Sequence, residues 1–208
     1  MPGQRTVALV VAALLAVLPI RAAWTATQAG EVLALAGQCF LEAGGQRAAL
    51  KLGDAVHVGD KVEVPEGARL KLRMSDGSVL SAASGTSMTI SGYDVDQASQ
   101  QRDARLSLTS GLLRAVVSSF GGTSHFEVDT ATGVAAVRST DWFIEAFPES
   151  TQVGVLSGVV SLSSIAAKRA VDIPARWGAR VEAGRAPVPP RVWTHAEFDS
   201  VIDRTNVN

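Results

Sequence analysis

Ala68 to Met74 constrains this chain more than any other stretch. Ala68, Leu70, Leu72 and Met74 alternate there with Arg69, Lys71 and Arg73. Side chains of a β-strand point alternately to its two faces, so this spacing puts the apolar set on one face and three cations in water. Asp76-Gly77 follows at once, a strong hairpin signal because both residues tolerate the positive φ that a tight turn needs. Ser78 to Ser81 reads as the returning strand.

The same pattern runs from Glu31 to about Leu162. Thr86–Ser91, Arg105–Leu108, Leu112–Ser118 and His125–Asp129 are each bounded by Gly, Ser, Asp or Thr. Gly133–Val137 is a small apolar run. Trp142–Phe147 carries Trp142 and Ile144 on one face, and Phe143 and Phe147 on the other. Val153–Leu156 and Val159–Leu162 flank Ser157-Gly158, another tight turn. Strands apolar on both faces belong at the centre of a layered structure. About a dozen short strands with no helix among them predict an all-β fold: a roll, a sandwich or a solenoid-like stack. Asp94–Asp103, rich in Gln, Asp and Ser, is expected to be an exposed loop.

Charge narrows the function. The chain has 19 basic and 20 acidic residues in 208, and hydrophobic residues make up 47%. That balance leaves no electrostatic footprint for nucleic acid, and the apolar content is enough for a real core. Arg5, an apolar run from Val7 to Ile20, Arg21 and then small residues have the layout of a secretory leader. The run covers roughly 21 Å as a helix, short of the roughly 30 Å hydrocarbon core. The expectation is a signal peptide over residues 1–29, ending near Ala29 with Thr27 at its −3 position. The mature chain would have no stable membrane span and would be periplasmic or secreted. Cys39 is the single cysteine, so no internal disulfide can form and a buried thiol is expected.

After Ser163 the character changes. Pro174, Pro187, Pro189 and Pro190 are incompatible with central strands, while Gly178–Ala183 can add an edge strand. Thr194-His195-Ala196-Glu197 is a capping box, followed by Phe198, Val201 and Ile202 at helical spacing. A short amphipathic C-terminal helix packed on the sheet is predicted. The domains expected are the leader over 1–29, a β-domain over 30–163 and a Pro-containing tail over 164–208.

Several motifs in this order resemble the FecR domain family. They are Leu52-Gly53-Asp54, Val58-Gly59-Asp60-Lys61-Val62, and Leu72 leading into Asp76-Gly77-Ser78-x-Leu80. In the second half, Leu106-x-Leu108-x-x-Gly111, Phe126-x-Val128-x-Thr130, Val134 to Thr140, and Val153-x-Val155-Leu156-x-Gly158-x-Val160 are similar to the family pattern. Ser139 stands where the family usually has glycine, and Ser157 where it usually has an acid. The resemblance covers roughly residues 30 to 163. It implies a non-enzymatic sensing or adaptor role in envelope signalling. FecR-type sensors with anti-sigma activity carry a cytoplasmic helical segment before a transmembrane helix. Only about six residues precede the apolar run here, so the chain is expected to be the extracytoplasmic domain exported alone.

The motif residues also have readings of their own. Gly53, Gly59, Gly77 and Gly158 suit turns, and Asp54, Asp60 and Asp76 can accept hydrogen bonds from turn amides. Arg138, beside Thr140, lies between two apolar segments, where an unpaired charge would be costly. It is therefore expected to meet a carboxylate or backbone carbonyls, with ligand recognition as the other role. His125, Glu127 and Asp129 share one strand face. A metal or acid–base site could be built that way, but a solvated outer face is the simpler reading. Trp142 is expected in the core. Trp177 and Trp193 are expected to clamp the tail, with ligand contact as the alternative. No catalytic residue, metal ligand or cofactor is predicted. The partner would be an envelope protein or an unknown ligand, and the competing reading is a structural or glycan-binding envelope protein.

Overall fold

The computed structural model describes residues 26–207. Residues 1–25 of the expected leader lie outside the described residues, and Gln28 and Ala29, at its expected end, begin the first strand. In chain order, β1 (Gln28–Ala36), β2 (Phe40–Ala43), β3 (Gln46–Ala49), β4 (Ala55–His57) and β5 (Lys61–Val64) come first. Next are β6 (Arg69–Met74), β7 (Val79–Ala82), β8 (Thr86–Asp96) and the long β9 (Gln101–Val116). Beyond it lie β10 (Ser124–Asp129), β11 (Gly133–Val137), β12 (Asp141–Phe147), β13 (Ser150–Ser157) and β14 (Val159–Ser164). The chain closes with β15 (Ala170–Pro174), β16 (Trp177–Glu182), β17 (Arg191–Val192) and α1 (His195–Thr205). Among the described residues the fold is all-β with one short C-terminal helix. The 17 strands of the described residues exceed the dozen expected because pieces as short as β4 or β17 hold too few residues to show an alternation.

The strands form two layers that share β9. One layer runs β4-β1-β6-β7-β9-β12-β13-β16-β17. The other runs β3-β2-β5-β8-β9-β10-β11-β14-β15. The pairing of β9 with β10 is parallel and the rest are antiparallel. Neither layer closes on itself. Residues 101–110 of β9 pair with β8, and residues 113–116 pair with β7. Its burial changes phase at the crossing: Arg102, Ala104, Leu106 and Leu108 face inward before it, Leu113 and Ala115 after it. Gly111 makes the corner. Its φ is +87°, and a Cβ there would lie 2.5 Å from Thr86 Cα.

The main core fills the space between the layers. It includes Leu70, Leu72 and Met74 from β6, Met88 and Ile90 from β8, Phe126 from β10, and Trp142 and Ile144 from β12. Cys39 is fully buried there. Burial of these side chains drives folding at roughly 25 cal/mol per Å² of apolar surface. A second cluster lies on the outer face of the first layer, where α1 covers Ala83, Leu112 and Phe143 with Trp193, Phe198 and Val201. Two strand glycines make room for it. The Phe143 ring lies over Gly154 and the Trp193 indole over Gly178, each where a Cβ would stand.

Two expectations change here. Asp94–Asp103 is not a loop but the end of the β8–β9 hairpin, with Asp94 opposite Asp103 and Val95 opposite Arg102. Asp94, Asp96, Gln101 and Asp103 face solvent from strand positions, Arg102 points inward, and only residues 97–100 lie outside the two strands. The strand expected at the edge, β16, has β13 on one side and the two-residue β17 on the other. The tail thus extends both layers, since β15 pairs with β14 in the other one.

The helix begins as its sequence suggests. Thr194 Oγ1 accepts from the Glu197 amide and Glu197 accepts from the Thr194 amide. The Arg191 guanidinium, and then the Thr194 amide, hold the Glu197 carboxyl down from its ordinary 4.5 to about 2. A depressed carboxylate stabilises above its unfolded value and loses that contribution as pH falls through its folded one. Amide protection at residues 195–198 should therefore fall between about pH 4.5 and pH 2, while protection in the sheets persists. Hydrogen exchange across that range tests this, and unchanged protection at the helix start would refute it.

The corner gives a second test. Gly111→Ala adds a clash with backbone to an unfavourable φ and should cost about 2 kcal/mol or more. Gly44→Ala shares the positive φ, at +57°, but has nothing within 4 Å of the added methyl. It should cost only about 1 kcal/mol. Equal losses in urea unfolding would show that the close approach at Gly111 does not matter.

Candidate functional site

Arg102 lies on the inward face of β9, and its side chain is 0% exposed. Its Nη1 donates to Asp76 Oδ2 at 2.6 Å and to the Ser118 carbonyl at 3.1 Å. Its Nη2 donates to Ser124 Oγ at 2.5 Å and to the Arg138 carbonyl at 2.8 Å. The rings of Phe120 and Phe126 lie 5.1 and 5.5 Å from the guanidinium carbon, close enough for cation–π attraction. Nε has no hydrogen-bond partner among the described residues.

Asp76 is fully used as well. Oδ1 accepts from the Ser78 amide at 2.9 Å and from the Tyr93 hydroxyl at 2.8 Å. Oδ2 accepts from the Ser78 hydroxyl at 2.7 Å in addition to Arg102. Burial, followed by the adjacent Asp76 carboxylate, pushes the Tyr93 phenol well above its ordinary range, so it stays a donor. The network joins the β6–β7 turn, β8, β9, the segment after β9, β10 and the end of β11. Buried charge is tolerated because each is paired and hydrogen-bonded.

Other motif aspartates play local roles. Asp54 accepts from the Lys51 amide and Asp60 from the His57 amide, both at 2.8 Å. Gly53 and Gly59 adopt φ of +81° and +95° at the turns on either side of β4, and Gly77 adopts +81° between β6 and β7. Gly158, at φ +87°, turns β13 into β14 with its would-be Cβ 2.8 Å from the Ser139 carbonyl. These positions are spread over the fold and do not converge.

Arg138 departs from its expectation. Its side chain is exposed and forms no ion pair among the described residues, while its backbone carbonyl accepts from Arg102. The buried cation is Arg102 instead. A signal for it exists: the alternation through Ala104, Leu106 and Leu108, carried back by two, puts Arg102 inward. The polar neighbours in Asp94–Asp103 mask that signal. Trp193 is 6% exposed and packs on Phe143 and Phe198, so it presents no open face, whereas Trp177 is 36% exposed. Trp142 lies in the core at 0%.

Beside the network, the outer face of the second layer holds a depression of about 450 Å³. Ser124, His125, Arg138, Thr140, Val159 and Asp172 line parts of it. His125 Nε2 lies 2.9 Å from Glu127 Oε1. Burial, and then Glu127, push the Asp129 carboxyl up. No group of three or more His, Cys, Asp or Glu suited to a metal ion occurs among the described residues.

The network predicts an ordered set of losses. Asp76→Ala leaves a buried guanidinium without its counter-ion and should cost about 3–5 kcal/mol. Tyr93→Phe removes one hydrogen bond and should cost about 1 kcal/mol. The double change Asp76→Leu with Arg102→Met should cost less than Asp76→Ala alone, because no charge is left unpaired. Urea unfolding of the three variants tests the order, and a double variant weaker than Asp76→Ala would contradict it.

The family model described as FecR protein matches residues 60–161, which include Asp76, Arg102, Arg138, Thr140 and Gly158 but not Gly53 or Asp54. No curated protein matches the chain. Two crystal structures of a candidate anti-sigma factor from Parabacteroides distasonis, at 1.65 and 2.50 Å resolution, are similar in fold. Each has a TM-score of 0.55 and 17% identity over 67% of this chain. The chain spans 63% and 62% of their lengths, less than two thirds. No helix among the described residues is long and apolar enough to cross a membrane. With its ordered turn motifs, its two-layer β-fold and that match, residues 60–161 of this chain are a FecR family domain.

Proposed function

We propose that the protein is an exported, non-enzymatic sensing or adaptor module in envelope signalling, acting by non-covalent recognition. The FecR family domain at residues 60–161 carries this reading. The fold shared with a candidate anti-sigma factor supports it, since such regulators work through protein partners. The central polar groups also support it: Arg102, Asp76, Ser78 and Tyr93 are occupied with one another rather than with an open cleft. The outermost strands β3 and β15 and the depression next to Arg138 are the surfaces open to a partner. Strand addition at such an edge is a known mode of peptide recognition.

Glycan binding is the competing reading. It loses one of its two aromatic candidates, because Trp193 is enclosed, and keeps Trp177.

Two measurements test the proposal. Cell fractionation with intact-mass analysis should find the chain outside the cytoplasm and shortened at its N-terminus. Full-length protein confined to the cytosol would refute export. The mature protein, immobilised and exposed to envelope extract, should retain a signalling membrane protein in a complex that survives salt washing. Retention of polysaccharide instead, lost in Trp177→Ala, would favour the glycan reading.

A further inference from the structure

The depression on the outer face of the second layer is a built site. Its rim is held from beneath by the buried network, because Arg102 Nη2 bonds both Ser124 Oγ and the Arg138 carbonyl. The floor is small: Ala136 faces Ser161 across β11 and β14, and Ser161 faces Asp172 across β14 and β15. Arg138, one strand repeat beyond Ala136, and Asp172 are both exposed and form no ion pair among the described residues. Val159 adds an apolar surface that is 53% exposed. Thr140 also lines the depression, is 5% exposed, and has a buried hydroxyl with no hydrogen-bond partner among the described residues.

The two free charges have opposite signs. Two strand spacings across and one side-chain repeat along put their Cα atoms about 12 Å apart. Side chains on one face of a sheet rise side by side, so the charged groups stand roughly as far apart as their Cα atoms, room for the about 7 Å span of a dipeptide with a hydrogen bond of about 2.8 Å at each end. A simple anion would meet Asp172, and a simple cation would meet Arg138. Glu127 adds negative charge on the far side, and His125 beside it offsets part of that.

We propose that this depression recognises a short zwitterionic ligand of the amino-acid or small-peptide class. Its carboxylate meets Arg138, which can grip it with two parallel N–H donors. Its ammonium meets Asp172, and its side chain lies on Val159. The inference rests on the recognition role proposed above and supplies the ligand class for it.

The test is an NMR titration of the ¹⁵N-labelled protein with four probes: valine, Ala-Val, N-acetyl-Ala-Val and Ala-Val amide. Ala-Val should shift amides at 124–125, 136–140, 159–161 and 172. Blocking either end should weaken binding about tenfold, and valine against Ala-Val separates a free amino acid from a peptide. Arg138→Gln and Asp172→Asn should each abolish the shifts while leaving the rest of the spectrum, and so the fold, unchanged. Arg138→Lys should retain weak binding. Absence of shifts up to about 20 mM, shifts located elsewhere, or binding unaffected by Arg138→Gln would overturn the assignment. Those results would leave the signalling role standing if a protein partner is still captured. Failure to capture a partner alongside positive titrations would separate the two ideas the other way.

Discussion

The buried ion pair between Arg102 and Asp76 holds one end of the sandwich together. Six segments distant in sequence meet at it, and its hydrogen bonds reach the backbone as well as side chains. Backbone groups at a strand end must find partners somewhere. The carbonyls of Ser118 and Arg138 find them in one guanidinium. A fork of donors in a fixed plane can serve several acceptors at once, which a lysine ammonium could not do with the same geometry.

The rest of the fold is arranged around β9, on which Arg102 sits. One strand belongs to both layers because Gly111 lets the backbone turn where Thr86 crosses it closely. The phase slip at that corner turns Leu112 outward toward α1 and returns Leu113 to the interior. The second cluster and the first are therefore consequences of the same local bend. Glycines in strands usually weaken them. Here Gly154 and Gly178 instead receive the rings of Phe143 and Trp193, so the missing side chain is replaced by an aromatic face from a neighbour.

Much of this was legible in the chain, and the failures share a cause. The alternation in Ala68–Met74, the turn at Asp76-Gly77 and the capping box at Thr194 act within a few residues, and each formed where its spacing placed it. Arg138 and Arg102 take the opposite places to those their neighbours suggest. Arg138 has apolar neighbours in sequence, yet it follows directly after β11 and its side chain is exposed. Arg102 has polar neighbours, yet it continues the inward phase of β9. In both cases local composition and strand phase disagreed, and strand phase decided.

The sequence by itself determined that the chain would build sheets, where most turns would fall, which face of each strand would be apolar, and that a short capped helix would end it. Those properties follow from backbone sterics and side-chain periodicity over a few residues. Only the tertiary structure decided that β9 would serve two layers, that the polar hairpin tip would carry the central cation, and that Arg138 and Asp172 would line one open depression. Those outcomes depend on pairings between strands far apart in the chain, and no local window of residues contains them.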